Sequence, residues 1–559
     1  MADLTIRIAG EAGQGLVSIG EVLARSFVES GLHIFSGQSY MSRIRGGLNW
    51  VDIRIGDTEL YSLREHADLL VALSEPAIHC LVPTLATDAR IIRNCHKTDS
   101  SPEVVCFDFA KVAASAGGNK RMINSVAAGA IFAILDLDLD NLISQIRTKY
   151  RHKSIGAGEM NVSCANAGFD QIKEKGITIE APRRSAGRRG TLVSGASATA
   201  LSAAAAGVKF VASYPMSPST ATFTHLAKLS DENGILIEQA EDEIAAINMV
   251  CGASYAGVTS MTTTSGGGFA LMGEGISLAG MMELPVLVLL AQRPGPATGL
   301  PTRTAQEDLN LAVHAGHGEF PKAVFAPGDQ RQCYNLMRHA VFTSNKYQIP
   351  VILLTDQYLQ DAMKDIDPLD THYEPIDRFI TEDADDMYRR YHSTPDGISP
   401  RAIPGGEGPV VCDSDEHDEA GHLNEDLRIR IEQQQKRMRK EYGLVDQAVE
   451  PEVFGPADAE NVIVCWGSSY GPVKETVKIL NLDGRSAAML HFSQVWPLNI
   501  ENILGKLESY KRIIVAEGNY TGQFASLLRR AGCTRHLERL NRYDGLPLTA
   551  DFVIRGAKI

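Results

Sequence analysis

Apolar and polar positions alternate along the chain with two periods, one typical of strands and one typical of helices. Short apolar runs such as "LTIRIAG" (4–10) and "DLLVAL" (68–73) predict strands. Between them, "LVSIGEVLARSFVESG" (16–31) has apolar residues three and four positions apart, which predicts a helix. This succession over residues 1–175 predicts an α/β domain.

The same rhythm returns over residues 189–365 after a short break. The strand-like stretches "VKFVASYP" (208–215) and "PVLVLLA" (285–291) are apolar on both faces, as a mostly parallel sheet covered by helices requires. The break at 176–188 contains a proline and clustered arginines, which favours a solvated linker and a boundary at about residue 188. We therefore predict a second α/β domain.

The rest of the chain divides into two parts of different character. Residues 366–455 are rich in charge, proline and glycine and contain one long polar helix, which is typical of a linking arm. Residues 456–559 return to strands separated by helices, with the runs "NVIVCW", "SAAMLHF" and "RIIVAEG". The overall prediction is an α/β protein with three α/β domains.

Composition narrows the class of protein. The 559 residues are 44% hydrophobic and 22% charged, which is ordinary for a soluble globular protein. A net charge of -14 disfavours non-specific binding to nucleic acid, which depends on basic patches. The most apolar run, 278–291, is too short to cross a bilayer, and the N-terminus has no signal-peptide pattern. We expect a cytoplasmic protein that binds neither nucleic acid nor a membrane.

The nine cysteines are scattered without a Cys-x-x-Cys pair. This spacing argues against a zinc site or an iron–sulfur cluster held by this chain alone. We expect most of the cysteines to be small core residues.

The first candidate site is the glycine cluster "GEAGQG" (10–15), between a predicted strand and a predicted helix. Glycines let backbone amides approach an anion, so the cluster suits a phosphate-bearing ligand, although a plain tight turn explains it equally well. Its spacing matches neither the dinucleotide fingerprint nor a Walker motif, so neither NAD nor ATP is predicted. Downstream, "SYMSRIRGG" (39–47) adds Ser39, Arg43 and Arg45, which suit phosphate or an exposed loop.

A second candidate site lies at the carboxyl edge of the predicted parallel sheet, where ligands of such sheets collect. "SYPMSPST" (213–220) ends a strand with two prolines and two hydroxyls, although a helix cap would explain one serine. In "EDEIAAI" (241–247), Glu241 and Asp242 complement a helix dipole, whereas Glu243 shares its helix face with apolar residues. A carboxyl group on an apolar face is costly unless it is paired, so Glu243 is a functional candidate.

Two loops complete the candidates. "AQRPGPATGLPTRTAQEDL" (291–309) places Arg293 and Arg303 in a segment whose prolines and glycines exclude regular structure, which suits a carboxylate clamp as well as surface arginines. The acidic run around His417 and His422 matches no established metal-ligand spacing. We interpret it as a solvated loop and predict no metal site on this chain.

Together, these stretches resemble the 2-oxoacid:ferredoxin oxidoreductases, thiamine-diphosphate enzymes that oxidatively decarboxylate a 2-oxoacid onto coenzyme A. The resemblance covers almost the whole chain and implies a gamma–alpha fusion. Residues 1–175 resemble the gamma domain on the coenzyme A side, 189–365 the pyrimidine-type thiamine-diphosphate domain, and 456–559 a transketolase C-terminal-like domain. The matching motifs are "AGEAGQG", "QSYMSRIRGG", "YPMSPS", "EDEIAAI", "TSGGG", "GLPTRT", "LHFSQVWPL" and "VAEGNYTGQ".

The resemblance also implies roles for individual residues. Glu243 would hydrogen-bond the aminopyrimidine ring of thiamine diphosphate, and Arg293 would hold the substrate's 1-carboxylate, helped by the hydroxyls of Ser217 and Thr302. Ser217 stands where the family motif usually has threonine, so the pocket is slightly roomier. The other positions that the resemblance assigns to cofactor or coenzyme A are Tyr214, Pro215, Gly13, Gln14, Gly15, Ser39, Arg43 and Arg45.

Two features of the family are missing from the sequence. The chain has no Gly-Asp-Gly motif to hold Mg²⁺ on the diphosphate, and it has no cluster-ligand cysteines. The resemblance therefore implies a beta subunit that carries the diphosphate site and a [4Fe–4S] cluster, with ferredoxin as electron acceptor and a dimer of heterodimers as the assembly. We expect 2-oxoglutarate as substrate and succinyl-CoA as product, in either direction of the reaction.

Three alternatives stay open. The same reaction on pyruvate or on a broad range of 2-oxoacids would use the same groups. An acyl-CoA ligase should also show a phosphohistidine or nucleotide-grasp region, and the sequence shows none. A non-catalytic subunit that binds coenzyme A or regulates an enzyme would tolerate the loss of Glu243 and Arg293.

Overall fold

The computed structural model describes most of the chain. The described residues are 2–41, 47–95, 103–151, 155–183, 190–369, 375–382, 384–385 and 387–559.

The chain forms two compact units. The N-terminal unit comprises residues 1–193, 362–369 and 549–551. The C-terminal unit comprises residues 194–361, 370–548 and 552–559.

The strands contribute to three sheets. In chain order, the strands are β1 Asp3–Glu11, β2 His33–Ser39, β3 Leu48–Gly56, β4 Ala67–Ala72, β5 Leu85–Asn94, β6 Val104–Phe107, β7 Thr191–Ser194, β8 Phe210–Ser213, β9 Leu236–Gln239, β10 Ser260–Thr264, β11 Val286–Gln292, β12 Ala323–Phe325, β13 Pro350–Asp356, β14 Met363–Ile366, β15 Glu452–Phe454, β16 Asn461–Trp466, β17 Ala487–Phe492, β18 Gln494–Trp496, β19 Arg512–Glu517 and β20 Leu537–Asn541.

Helices alternate with these strands over most of the chain. In chain order, the α-helices are α1 Leu16–Glu29, α2 Glu75–Leu81, α3 Phe109–Ser115, α4 Ile123–Ile134, α5 Leu139–Tyr150, α6 Ile155–Lys175, α7 Gly195–Ala205, α8 Thr220–Asn233, α9 Glu243–Tyr255, α10 Gly266–Leu271, α11 Gly273–Met281, α12 Leu309–Val313, α13 Gln330–Tyr347, α14 Gln357–Asp361, α15 Leu427–Asp446, α16 Tyr470–Leu482, α17 Ile500–Glu508, α18 Gln523–Arg530 and α19 Ala550–Ala557.

The N-terminal unit contains an eight-stranded sheet in the order β6-β5-β4-β1-β3-β2-β14-β7. Strands β6, β5, β4 and β1 are parallel, and the pairs β1/β3, β3/β2 and β2/β14 are antiparallel. Helices α4 and α6 pack closely because Gly129 lies against the backbone of α6, where an added Cβ atom would come within 1.9 Å of the Ala165 carbonyl oxygen. The sequence analysis did not identify β14, whose Asp365 carboxylate accepts a hydrogen bond from the Ile34 backbone N–H at 2.6 Å.

The C-terminal unit contains the sheet that positions the candidate active site. Its seven strands lie in the order β18-β12-β13-β11-β10-β8-β9, and every pair except β12/β18 is parallel. The carboxyl ends of β8, β10, β11 and β13 therefore meet at one edge. Loops beginning at Tyr214, Ser265 and Arg293 leave the sheet there.

A five-stranded sheet in the order β15-β17-β16-β19-β20 forms the last part of the C-terminal unit. Only the β15/β17 pair is antiparallel. The prediction of an α/β protein whose second α/β region has a mostly parallel sheet is confirmed. Among the described residues, no helix is both long and apolar enough to span a membrane.

Two local predictions need correction. The run "VTSMTTTSGGG" (258–268) predicts a strand followed by a loop, but its glycines begin α10, where Gly266 and Gly268 pack against carboxylates from other segments. The loop around His417 was predicted to be solvated, but His417 is buried, with its ring centroid 3.9 Å from that of Tyr391. Burial is also the main reason why the pKa of His417 is lowered.

Candidate active site

Glu243 is the first residue of α9 and lies at the carboxyl edge of the seven-stranded sheet. The preceding residue, Asp242, caps the helix by accepting a hydrogen bond from the Ala245 N–H at 2.7 Å. Helix periodicity then places Glu243 on the same face as Ala246, Ile247 and Val250, which are buried. The carboxylate of Glu243 is therefore carried into the protein interior and is only 3% exposed.

One carboxylate oxygen of Glu243 is unpaired. Its Oε1 is buried and has no hydrogen-bond partner among the described residues. A Cβ atom added to Gly268 would lie 2.3 Å from this oxygen, so glycine is required beside it. An unpaired buried carboxylate is unfavourable unless a ligand supplies a donor. Glu243 can therefore accept a hydrogen bond from an N–H or O–H group of a ligand.

Asp308 places a second carboxylate against the same glycine-rich turn. A Cβ atom added to Gly266 would lie 2.4 Å from Asp308 Oδ2 and 2.7 Å from Oδ1. Asp308 Oδ2 is also buried and lacks a hydrogen-bond partner within the described part of the chain. Burial, and then the charge of Glu307, raise the pKa of Asp308 to about 6, while Arg293 opposes the rise. Asp308 was not among the site residues predicted from the sequence.

Arg293 follows β11 and faces the loop after β8. Its Nη1 donates a hydrogen bond to the Ser217 carbonyl oxygen at 2.8 Å. The guanidinium is half-buried, and desolvation lowers its pKa while the charge of Asp308 opposes that change. The structure thus brings together two of the predicted residues, Arg293 and Ser217, at the sheet edge.

The predicted residues of the loop after β8 lie at the surface or close to it. Tyr214 is 40% exposed, Pro215 is partly buried and Ser217 is exposed. Ser219, by contrast, is fully buried, and its hydroxyl donates to the Met216 carbonyl oxygen at 2.8 Å. Ser219 therefore has a structural task, and Ser217 presents the accessible hydroxyl.

The loop between Arg293 and Asp308 is held by a threonine that the sequence analysis did not select. Thr304 is buried, and its hydroxyl lies 3.3 Å from Asp356 Oδ1, at the end of β13. Asp356 also accepts hydrogen bonds from the Ser468 hydroxyl and from the Leu359 N–H. The predicted residue Thr302 is partly buried on the same loop.

Gln306 fastens this loop to the five-stranded part of the same unit. Its Nε2 donates to the Trp466 carbonyl oxygen at 2.9 Å, and its Oε1 accepts from the Ser469 hydroxyl at 2.9 Å and from the Gly518 N–H at 2.8 Å. Asn519 Nδ2 donates to the Gln306 carbonyl oxygen at 3.0 Å. The motifs that contain Trp466 and Asn519 therefore hold the arginine loop in place.

The predicted phosphate loop opens into a cavity of about 930 Å³ within the N-terminal unit. Gly13, Gln14 and Gly15 all line this cavity. Gly13 and Gly15 have positive φ angles of 90° and 77°, which favour glycine, and Gly15 precedes α1 without a side-chain cap. Backbone amides at the start of α1 are thus available to an anion.

The cavity also contains basic residues that were not predicted from the sequence, which indicated Arg43 and Arg45 instead. Lys120 and Arg121, just before α4, line the cavity together with Asn119 and Asn124. Asn124 Nδ2 donates a hydrogen bond to the Gln14 carbonyl oxygen, which ties the phosphate loop to α4. The two basic residues are distant in sequence from the glycine cluster, and only the fold brings them to it.

The second predicted phosphate segment is described only in part. Ser39 ends β2, and the register of β1, β3 and β2 places it at the same sheet edge as Glu11. Ser39 is buried and is not among the residues that line the cavity. Arg43 and Arg45 lie outside the described residues. Their assignment to coenzyme A stays a prediction.

The described part of the chain does not contain a group of three or more His, Cys, Asp or Glu side chains that could hold a metal ion. Of the nine cysteines, Cys164, Cys251, Cys333, Cys465 and Cys533 are free and buried.

Two family models match most of the chain. Residues 202–436 match the model described as "Pyruvate flavodoxin/ferredoxin oxidoreductase, thiamine diP-bdg". Residues 5–171 match the model described as "Pyruvate ferredoxin/flavodoxin oxidoreductase". The first match contains Glu243, Arg293 and Asp308, and the second contains the phosphate loop.

Similar proteins carry consistent names. The chain is 28% identical over 608 residues to the 2-oxoacid:ferredoxin oxidoreductase subunit alpha of a Sulfolobus species. The alignment covers 97% of this chain and 95% of that relative. It is 32% identical over 349 residues to the 2-oxoglutarate synthase subunit KorA of Archaeoglobus fulgidus, which covers 62% of this chain and 92% of that relative.

A solved structure agrees over the full length. The 2-oxoglutarate:ferredoxin oxidoreductase of Magnetococcus marinus, with 2-oxoglutarate, coenzyme A and succinyl-CoA bound, matches with a TM-score of 0.93 and 29% identity, over 100% of this chain and 99% of that chain. Family models, relatives and this structure together show that the chain belongs to the 2-oxoacid:ferredoxin oxidoreductase family of oxidoreductases.

Proposed function

We propose that this chain is the alpha subunit of a 2-oxoglutarate:ferredoxin oxidoreductase. The reaction joins 2-oxoglutarate and coenzyme A to give succinyl-CoA and CO₂, and passes two electrons to ferredoxin. The unpaired Oε1 of Glu243 beside Gly268 carries the proposal, because it is a buried acceptor without a donor inside the segment that matches the thiamine-diphosphate-binding family model. The likeness to the Magnetococcus marinus enzyme supports the choice of substrate.

The residues present fit thiamine diphosphate. A buried carboxylate without a partner needs a donor, and the aminopyrimidine ring offers a nitrogen for this bond. When bound, thiamine diphosphate supplies the carbon nucleophile for the 2-oxo group. Glu243 would hold the ring in the tautomer whose exocyclic nitrogen can accept a proton, and the neighbouring glycines leave room for the ring to approach.

Arg293 binds the substrate's 1-carboxylate in this proposal. Its guanidinium is anchored to the Ser217 carbonyl oxygen, which leaves other N–H groups for the two carboxylate oxygens. The exposed hydroxyl of Ser217 and the hydroxyl of Thr302 orient the same carboxylate. Tyr214 and Pro215 form the edge of the cofactor site at the end of β8.

Coenzyme A binds to the cavity of the N-terminal unit in this proposal. The loop of Gly13, Gln14 and Gly15 offers backbone amides, and Lys120 and Arg121 offer positive charge for phosphate groups. The volume of about 930 Å³ is within the range of cavities that hold cofactors. Ser39, Arg43 and Arg45 are proposed to contribute from the neighbouring segment.

A beta subunit completes the enzyme. This chain has no Gly-Asp-Gly motif and no cluster-type cysteine spacing, so the diphosphate, Mg²⁺ and the [4Fe–4S] cluster belong to the partner. We propose a dimer of such heterodimers in the cytoplasm, with ferredoxin as electron acceptor.

A wider substrate range is the second candidate. The relatives from Sulfolobus species and Aeropyrum pernix are named for 2-oxoacids in general, at 27–29% identity. A pocket with Ser217 in place of the usual threonine has room for different side chains. Pyruvate or branched 2-oxoacids would then react as well as 2-oxoglutarate.

The deciding experiment is anaerobic reduction of ferredoxin by the chain co-expressed with its beta subunit. Coenzyme A is supplied with 2-oxoglutarate, pyruvate and a branched 2-oxoacid in separate reactions. Reduction with 2-oxoglutarate alone supports the proposal, and comparable rates with several substrates support the wider range. A cluster-replete complex that reduces ferredoxin with none of them contradicts both.

Glu243→Gln tests the cofactor site in the same complex. We expect turnover to fall roughly a hundredfold to ten-thousandfold, because an amide cannot hold the ring in the reactive tautomer. Glu241→Gln is the matched control, since Glu241 is exposed two residues away and should keep full turnover. Full turnover in Glu243→Gln would favour a non-catalytic subunit.

A further inference from the structure

Asp308 is the second carboxylate at the glycine-rich turn, and the proposed reaction gives it no task. Its Oδ2 is buried without a hydrogen-bond partner among the described residues, as is Oε1 of Glu243. The two carboxyl groups lie against Gly266 and Gly268 respectively. Two unpaired carboxylate oxygens thus lie at one turn of the chain. A hydrogen bond from a cofactor to Glu243 would account for only one of them.

The position of Asp308 is fixed relative to Arg293. The Asp308 backbone N–H donates to Gln292 Oε1 at 2.9 Å, and Gln292 Nε2 donates to the Thr355 carbonyl oxygen at 3.1 Å. Gln292 is the last residue of β11 and directly precedes Arg293. One strand end therefore anchors both the arginine and the acid.

Two charged side chains act on Asp308, and a third carboxyl group lies at the same turn. Arg293 attracts its negative charge, and Glu307, which accepts a hydrogen bond from the Gly295 N–H at 2.9 Å, repels it. Glu243 approaches the same turn from α9. Burial and Glu307 raise the pKa of Asp308 to about 6, so its charge changes close to neutral pH.

We propose that Asp308 is a positioning residue that controls how tightly Arg293 holds the substrate's carboxylate. In its neutral form, Asp308 leaves the guanidinium available to the substrate. In its ionised form, it competes for the guanidinium and repels the incoming carboxylate. This inference rests on the proposed function, because it takes Arg293 to be the group that binds a 2-oxoacid.

The test is the pH dependence of KM and kcat in the complex with the beta subunit. For the unchanged enzyme, KM should rise about three- to tenfold as the pH increases through the pKa of Asp308, with a smaller effect on kcat. In Asp308→Asn, which keeps the shape of the side chain, KM should stay low across the same range. A purely structural residue would not remove this pH dependence.

Glu307→Gln provides an independent check. Removing the charge of Glu307 lowers the pKa of Asp308, so the rise in KM should begin at lower pH. Glu241→Gln is the control and should keep the profile of the unchanged enzyme, because Glu241 is exposed and does not contribute to the pKa shift of Asp308.

The outcomes separate the two proposals. If the unchanged complex does not reduce ferredoxin with any of the 2-oxoacids, the proposed function fails before Asp308 is tested. If the unchanged complex is active and Asp308→Asn shows the same rise in KM, the role of Asp308 is wrong. If Asp308→Asn does not fold by thermal melting, Glu307→Gln decides, and an unchanged onset in that variant overturns the inference.

Discussion

At the scale of single residues, the glycines of the turn 266–268 determine where two buried carboxylates can lie. Gly268 faces Glu243, and Gly266 faces Asp308. Neither carboxylate oxygen at these positions has a hydrogen-bond partner among the described residues. Both carboxylates therefore lie where a glycine leaves space for them.

Gly268→Ala tests this dependence. The new Cβ atom would lie 2.3 Å from Glu243 Oε1 and from Thr264 Oγ1, so the carboxylate must move. We expect roughly a hundredfold loss of turnover, since a displacement of about 1 Å is enough for such a loss. Gly273→Ala is the matched control, because an added Cβ atom there meets nothing within 4 Å. Equal rates in the two variants would contradict this account.

Glu243 was predictable from the sequence, whereas Asp308 and Thr304 were not. A carboxylate on the apolar face of a helix conflicts with its surroundings, and the 3.6-residue period makes the conflict visible. Asp308 and Thr304 lie in a loop without a period, so their burial depends on distant contacts such as Gly266 and Asp356. Spacing alone carries no signal for such contacts.

At the scale of elements, α15 shows how a polar helix can be a core element. Its Lys436 Nζ lies 2.7 Å from Glu283 Oε1, and its Lys440 Nζ lies 2.5 Å from Oε2, with all three side chains at most 1% exposed. Arg390 Nη2 donates to the Glu283 carbonyl oxygen at 2.7 Å. The sequence predicted the helix but not this burial, because lysines on a polar helix are typical of a solvated face.

Glu283→Gln should destabilise the C-terminal unit. The substitution leaves two buried lysines without their carboxylate, which we expect to cost about 3–5 kcal/mol in the free energy of unfolding. Denaturant unfolding of the full chain measures this change. Glu274→Gln is the control, since that side chain on α11 is 86% exposed and should have little effect.

The pH dependence of the free energy of unfolding is a second test of this ion pair. Burial favours the neutral acid, but Lys436, Lys440 and Arg390 hold the pKa of Glu283 well below its ordinary value of 4.5. The stability from Glu283 is therefore present above that value and is lost as the pH falls, because the unfolded chain takes up a proton first. The unchanged chain should lose more stability on acidification than Glu283→Gln does.

At the scale of the whole molecule, one loop connects the two sheets of the C-terminal unit by hydrogen bonds. Gln306 joins the loop of Arg293 to Trp466 and Gly518 of the five-stranded part. The domain after residue 456 thus supports the loop that begins at Arg293. The order of domains was predictable from the alternation of strands and helices, but this connection was not, because it is made by hydrogen bonds over 160 residues or more.

Gln306→Ala should separate support from chemistry. We expect about a tenfold fall in kcat/KM and a loss of about 1–3 kcal/mol in stability, because buried groups such as the Ser469 hydroxyl lose their partner. Steady-state kinetics and thermal melting of the complex measure the two effects. Gln435→Ala is the control, since Gln435 is an exposed glutamine on α15. If kcat/KM equals that of the control, the loop keeps its position without the hydrogen bonds of Gln306.

The contact between Glu283 and Lys436 also has a consequence for synthesis of the protein. The two residues are 153 positions apart, so Glu283 leaves the ribosome well before its partner is made. At about 5–20 residues per second, this interval is about eight to thirty seconds. The nascent chain must keep the carboxylate hydrated throughout, which delays closure of the interior around it until α15 emerges. Chaperones that bind unfinished chains would then meet the seven-stranded sheet and its helices while this interior is still open.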